Sequence, residues 1–320
     1  MMTSTRLLHR ASAAAVFGLG FAFQAHAVTV LQENFDGASV NSSFVYGGTG
    51  SPGTFNTGGA RQNGARLSAN IQGASGGMGW NASTIPLGTT SLNLTFDFRI
   101  ETDAMAAPFG YGGNFSPAGD GFGIGFVPVA GPAGASGYAD NNQWEFFGAV
   151  GPSASLGGLG IGVNTYNGGS AVTDVVTLAL AGTTLASPSV SNLATFQWHR
   201  ISLTLTSSGA TSLASATLTT DVDGAGSSSS LWNNVAVPVD LTTLGSNFRM
   251  VAGSRSGWAV NDSTLDNIIV TAVPEPGATG LLVAGGLLAL ASRRRRPLAW
   301  GSQQSEESGD SDNSTRGLVF

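Results

Sequence analysis

The chain has 320 residues, of which 47 are glycine and only 10% are charged, against about 25% charge and about 7% glycine in ordinary soluble domains. All 13 basic residues are arginine, which excludes Schiff-base lysine chemistry and a phosphate-loop lysine. Cysteine is absent, which excludes disulfides, thiolate nucleophiles and cysteine-ligated zinc or iron–sulfur clusters, and the formal net charge is −6.

The first segment reads as an export signal over residues 1–27. Arg6, His9 and Arg10 make a basic front, Ala13 to Phe23 an apolar run, and Ala25-His26-Ala27 the small-residue pattern that signal peptidase needs. The run is too short to span a bilayer, so cleavage after Ala27 is expected, with Val28 as the mature start.

Residues 28–272 read as one large all-β domain with enough chain to bury a core without disulfide staples. Between Leu92 and Ile100, leucine, phenylalanine and isoleucine alternate with Asn93, Thr95, Asp97 and Arg99, the pattern of a half-buried strand. Comparable runs occur at Val28 to Leu31, Phe122 to Val127, Leu159 to Tyr166, Val175 to Leu180, Ile201 to Leu205, Leu213 to Thr220, Val235 to Val239, Phe248 to Val251 and Leu265 to Val270. Turn-forming stretches separate them and no long amphipathic helix intervenes, which predicts an antiparallel two-sheet sandwich rather than alternating strands and helices. No repeat of fixed period is present, which argues against propellers and solenoids.

Two strands carry glycine at every second position: Gly119-Asp120-Gly121-Phe122-Gly123-Ile124-Gly125-Phe126 and Gly158-Leu159-Gly160-Ile161-Gly162-Val163. Each would bury large side chains on one face and show bare backbone on the other, as where a ligand or another backbone comes close. Neither has the spacing or the following helix of a dinucleotide loop. The first resembles the Asp-Gly strand of the L-type lectins, and Gly162-Val163-Asn164-Thr165-Tyr166-Asn167 resembles their Glu-x-Asp-Thr-Tyr segment. Together with Glu33-Asn34-Phe35-Asp36-Gly37, Trp198 at the head of a late strand, Arg255-Ser256-Gly257 and Leu265-Asp266-Asn267, these motifs imply a concanavalin A-like lectin/glucanase jelly roll. They also imply a carbohydrate site where the glycine-faced strands end, built from Asp120, Gly121, Asn164, Tyr166 and Asn167. Such a site would offer carboxylate and amide groups to sugar hydroxyls, an aromatic face to the ring, and bare backbone for approach.

The departures from the lectin pattern bear on metal and catalysis. Gly162 and Asn164 stand where the metal-binding glutamate and aspartate would be, and Gly168 where a further asparagine would be, so no metal is expected and a calcium requirement is doubtful. Asp174 is the nearest acid. Asp221 and Asp223 before Gly224 look like part of a calcium loop but lack its other ligands, so a hairpin turn is expected there. The glucanase branch of the fold needs Glu-x-Asp-x-x-Glu; Glu101 and Asp103 begin it, but Ala106 ends it, leaving no acid and nucleophile pair. His199, the sole histidine after the signal, has no nucleophile elbow to serve and reads as structural. The chain is therefore expected not to be an enzyme.

Val273-Pro274-Glu275-Pro276 holds the backbone extended, Gly277 to Ala291 is free of charge, and Arg293, Arg294, Arg295 and Arg296 follow. As a helix the apolar stretch would be about 22 Å long, a marginal transmembrane span against a hydrocarbon core of about 30 Å, with the arginines fixing its end on the cytoplasmic side. Over residues 273–296 the order of parts resembles the PEP-CTERM sorting signal of Gram-negative bacteria, also labelled an ice-binding protein C-terminal domain. The resemblance implies exosortase as a partner, transient residence in the inner membrane with the ectodomain in the periplasm, and delivery to the cell surface or an exopolysaccharide matrix. Residues 297–320, with Glu306, Glu307, Asp310 and Asp312, read as a disordered acidic cytoplasmic tail to which no function attaches.

Residues 28–276 contain 15 acidic residues and 6 arginines, a net charge of 6 − 15 = −9, which repels phosphate backbones and argues against nucleic-acid binding. The expected function is that of an exported, non-catalytic carbohydrate-binding protein. The alternative is a structural matrix or adhesion protein without a working sugar site. An ice-binding role finds no threonine-periodic strand array in the sequence.

Overall fold

A computed structural model describes residues 26–36, 44–48, 53–56, 61, 63–68, 75–80, 85–102, 121–128, 158–165, 173–191, 193–244, 248–255 and 261–275. The described strands form two sheets, each of eight strands, and every pairing in them is antiparallel. The early strands are β1 (Val28–Glu33), β2 (Phe44–Gly48), β3 (Gly53–Asn56), β4 (Asn63–Ser68), β5 (Ser75–Trp80) and β6 (Thr89–Thr102). There follow β7 (Gly121–Pro128), β8 (Leu159–Asn164), β9 (Thr173–Leu180), β10 (Thr183–Ala186) and β11 (Ser189–Ser191). The last are β12 (His199–Ser208), β13 (Thr211–Thr219), β14 (Ser228–Val237), one helical turn α1 (Leu241–Leu244), β15 (Phe248–Arg255) and β16 (Asn261–Pro274).

The first sheet runs β14-β13-β12-β6-β16-β4-β3, and β1 joins the same edge of β16 beyond β4. The second runs β10-β9-β8-β7-β15-β5-β2, with β11 beside β9. All ten runs expected as strands from the sequence overlap strands, although the run at Leu159 ends at Asn164, the run at Leu213 ends at Thr219, and β14 covers Ser228–Val237 where the expected run is Val235 to Val239.

Alternation in β6 sends Phe96 and Phe98 to the interior, where both meet Phe122 of β7, at ring-centroid distances of 6.2 and 5.2 Å. All three rings are fully buried, and such pairs add about 0.5–1.5 kcal/mol each beyond their burial. These contacts fix which way each sheet faces: the even positions of β7 look toward the first sheet, and Gly121, Gly123 and Gly125 look away from it.

One irregularity in the first sheet matters for chemistry. Asp266 pairs with Asp97, but the next register pair joins Ile269 to Thr95, so β16 carries one extra residue there, a β-bulge. Asn267, inside the bulge, has φ of 47°, a conformation asparagine tolerates better than most residues.

Candidate ligand-binding site

On the outward face of the second sheet, register places Gly47 opposite Gly77, Gly77 opposite Gly253, Gly253 opposite Gly123, and Gly123 opposite Gly162. A row without side chains thus crosses five neighbouring strands, and the sequence shows only its fragments in β7 and β8. The alternating glycines of β7 have a further cause. A β-carbon on Gly125 would overlap the Leu159 carbonyl and the Gly160 Cα of β8. At Gly121, where φ is +106°, it would overlap the Val163 carbonyl. Close approach by the adjacent strand therefore accounts for these two positions.

Of the expected sugar-site residues, Gly121 and Asn164 are brought together: the β-carbon position of Gly121 lies 3.3 Å from the Asn164 Cα. Asn164 is half-buried at the end of β8, and the Ser254 hydroxyl donates a 2.8 Å hydrogen bond to the Gly121 carbonyl from the interior side. That contact fixes the strand end from which Asp120 precedes. Asp120, Tyr166 and Asn167 lie outside the described residues. The arrangement sets a half-buried amide beside buried glycine backbone at the ends of two interior strands, and an amide carries both the acceptor and the donor chemistry a hydroxylated ligand uses.

The residues at the lectin metal positions do not fit a metal. Gly162 lies mid-strand opposite Gly123, Asn164 supplies an amide in place of a carboxylate, and Asp174 shares the core-facing side of β9 with Val176 and Leu178. The Asp174 carboxylate accepts the Leu193 N–H, and burial pushes its pKa up to about 6. Among the described residues no group of three or more potential ligands comes together.

Asp221 and Asp223 lie in the turn between β13 and β14, as expected. Asp221 has φ of 48°, its carbonyl accepts the Gly224 N–H at 3.1 Å, and Asp223 accepts Arg61 Nη2 at 2.7 Å. His199 is buried against Phe98, with ring centroids 5.3 Å apart. Its Nε2 lies 3.1 Å from the Leu193 carbonyl and its Nδ1 accepts the Asp221 N–H, a pattern that suits the neutral ring. Burial accordingly holds its pKa below the ordinary histidine value. The residue is structural, as the sequence suggested.

The sequence reading missed the most concentrated electrostatics in the domain. Asp97, whose side chain is fully buried, accepts Arg61 Nη1 at 2.6 Å, Arg200 Nε at 2.6 Å and Nη2 at 2.9 Å, and Asn267 Nδ2 at 2.9 Å. The bulge is what brings Asn267 to it. Arg61 also spans Asp223 and Asp266 and lies over the Trp198 ring, 4.9 Å from its centroid. Burial works to raise the Asp97 pKa, but the bonds from Arg200, Asn267 and Arg61 outweigh it and hold the carboxyl below its usual range. Its carboxylates and guanidiniums are bonded to one another, which makes it a clamp on the first sheet rather than an open site. In sequence its bonded partners are separated by as many as 205 positions, and only the charged pair Asp97 and Arg99 on the polar face of one strand hinted at it.

At the ends of the sandwich, Ala27 stands just before β1, and β16 continues through Val273 and Pro274, with Pro274 opposite Thr89. Thr90 Oγ1 donates to the Val273 carbonyl at 3.0 Å, and the Glu275 N–H to the Gly88 carbonyl at 2.7 Å. Ala25, Pro276, the apolar stretch 277–291 and Arg293 to Arg296 lie outside the described residues. No described helix is long and apolar enough to cross a membrane.

The two sheets, their all-antiparallel pairing and their order define the concanavalin A-like fold of the legume lectins. Peanut lectin, solved with a nine-residue peptide, superposes with a TM-score of 0.52 at 15% identity, covering 78% of this chain and 98% of the lectin. The Bauhinia forficata lectin, solved in complex with GalNAc, gives 0.51 at 14% identity over 78% and 99% of the two chains. Arcelin-5, a lectin-like defense protein from Phaseolus vulgaris, gives 0.50 at 12% identity over 79% and 100%. No family model and no curated protein matches the chain.

Proposed function

We propose that this protein is an exported, non-catalytic carbohydrate-binding protein, directed to the cell surface or the extracellular matrix by exosortase acting on a PEP-CTERM signal at residues 273–296. The observation that carries the binding half is the meeting of Gly121 and Asn164 at the ends of β7 and β8 in a lectin-type sandwich. Asp120, next in sequence to Gly121, would supply the charged acceptor of this site, and Tyr166 and Asn167, soon after Asn164 in the sequence, would supply its aromatic face and a second amide. The export half is supported by the sequence order of basic front, apolar run and Ala-x-Ala at one end, and Pro-Glu-Pro, apolar stretch and arginines at the other. Cleavage after Ala27 would leave β1 whole, since that strand begins at Val28.

A glycan array probed with the purified protein, with and without calcium, tests the reading. Binding to a defined glycan is expected in both conditions, because the lectin metal ligands are missing. Losing a charged hydrogen-bond partner costs about 1.5–3 kcal/mol, so Asp120→Ala is expected to weaken that binding on the order of ten- to a hundredfold while the circular dichroism spectrum stays native. Unchanged affinity would remove Asp120 from the site.

One observation favours the alternative of a structural matrix protein without a sugar site: strand crowding explains Gly121 and Gly125 with no ligand. An array on which no glycan is retained would select that alternative.

Sorting is tested by truncation. Because β16 includes Val273 and Pro274, the informative chain stops at Glu275 rather than at Ala272, keeping the sheet intact while removing the apolar stretch and the arginines. This chain is expected in the soluble periplasmic or culture fraction, and the full chain with the inner membrane in cells lacking exosortase. Membrane fractionation of the truncated chain would refute the proposed anchor.

A further inference from the structure

The outward face of the first sheet carries an ordered array of uncharged hydrogen-bonding side chains. Register sets Thr29 opposite Thr271, Thr271 opposite Asn93, Asn93 opposite Thr204, and Thr204 opposite Ser215, one rank across five strands. A second rank, two residues along, runs through Thr95, Ser202, Thr217 and Ser230. Directly paired residues share a face, so the side chains of a rank stand about 4.8 Å apart across the strands, and the two ranks about 6.8 Å apart along them. Cross-strand bonds orient several of these groups: Asn93 Nδ2 donates to Thr271 Oγ1 and Thr95 Oγ1 to Ser202 Oγ, both at 3.3 Å. Thr29, Thr217 and Ser230 are exposed, and Asn93, Thr95, Ser202, Thr204, Ser215 and Thr271 are half-buried.

We infer that this face is a second binding surface, for an extended neutral polysaccharide. The inference rests on the glycan-binding reading but places a second contact on the sheet opposite Asn164. Charge and composition select the occupant. Neither rank contains a charged side chain, and the chain as a whole is acidic, so a polyanion is repelled and a neutral polyol is not. Large exposed hydrophobic side chains among the described residues are confined to Val28, Leu87 and Phe196, none of them in either rank, and Ile269, which the register sets opposite Thr95, is half-buried, so the ranks offer no large exposed apolar anchor of the kind on which protein interfaces depend. Each hydroxyl contact is weak alone, and a regular array gains affinity from a ligand that repeats.

The experiment is native affinity electrophoresis of the full chain in mild detergent, through gels containing hydroxyethyl cellulose, carboxymethyl cellulose or no polymer. Retardation by the neutral polymer and not by the carboxymethylated one is expected. Thr204→Val with Thr217→Val keeps β-branching and shape while deleting two hydroxyls, and is expected to weaken retardation about tenfold or more; the matching pair of serine substitutions, which restores hydroxyls, is expected to retain it. If the unmodified chain is retarded by neither polymer, this inference is overturned, while the reading at Asn164 stands or falls on the glycan array. If the unmodified chain and the valine variant are retarded equally while Asn164→Ala is not, glycan binding stands at the other sheet and the second surface is refuted. Equal retardation by both polymers also overturns it, because neutrality is then not what the face selects.

Discussion

Asp97→Ala is expected to destabilise the domain by about 3–5 kcal/mol, the cost typical of leaving one side of a buried ion pair unmatched. Asp97 is fully buried and takes four hydrogen bonds, from Arg61, Arg200 and Asn267. Without the carboxylate, Arg61, whose side chain is only 14% exposed, keeps Asp223 and Asp266 but loses its shortest bond, and the Asn267 amide loses its best acceptor. Arg200 is 41% exposed and recovers water. The reverse deletion, Arg200→Ala, is for the same reason expected to cost about 1 kcal/mol, since Asp97 retains two donors and the lost partner was half in solvent. Urea unfolding followed by tryptophan fluorescence measures both. The low Asp97 pKa places its stabilisation above the ordinary carboxylate range, to be lost only as pH falls through the folded value, so at pH 7 the full effect should be present. A loss under 1 kcal/mol for Asp97→Ala would mean that the clamp holds nothing together.

Stability is expected to fall, not rise, between pH 4.5 and 7. Burial raises the pKa of both Asp174 and Asp266 to about 6, from an unfolded value of 3.8. Arg61 approaches Asp266 at 3.3 Å but is already committed more closely to Asp97 and Asp223, so burial prevails. A carboxyl with a raised folded pKa favours folding while protonated. Its contribution is complete below the unfolded value and is lost as pH climbs through the folded one. Each group then costs about 2 kcal/mol over this interval, and the two together lower the melting temperature on the order of 10 °C. Melting curves at half-unit pH steps would show it. Asp174→Asn, whose amide oxygen can still accept the Leu193 N–H, should remove roughly half of the slope. A melting temperature that rises from pH 5 to pH 7 would contradict both assignments.

Most of the fold was legible because period-two alternation is a property of single strands: Leu92 to Ile100 announces β6 without reference to any neighbour. What escaped lacks that alternation. β5 is Ser-Gly-Gly-Met-Gly-Trp and β2 is Phe-Val-Tyr-Gly-Gly, where glycine stands in place of the polar outward residues and erases the pattern. The site was legible only as far as one strand reaches. Gly121 and Asn164 were paired through their resemblance to lectin segments, whereas the clamp around Asp97 depends on residues from β6, β12, β16, the β13–β14 turn and Arg61. The hydroxyl ranks were hidden for the same reason. Thr204 and Thr206, or Asn93 and Thr95, are ordinary solvent-side pairs along one strand, and the rank exists only across the register, which no single strand encodes.

The placement of β16 determines how the domain bears load. Val28 at the head of β1 is paired with Ala272 near the foot of β16, so the two ends of the sandwich leave it side by side. Drawn apart from each other, those ends would open the β1–β16 ladder one rung at a time, a mode of rupture that resists little force. A pull on Glu275 against a ligand held on either outward face acts differently. It drags β16 lengthwise between β6 on one flank and β1 with β4 on the other, and their hydrogen bonds must then yield together. If the domain is tethered by its C-terminal end and grips a polymer, as proposed, it would be strong along that line of pull, and would give way only when its first strand is peeled from the side.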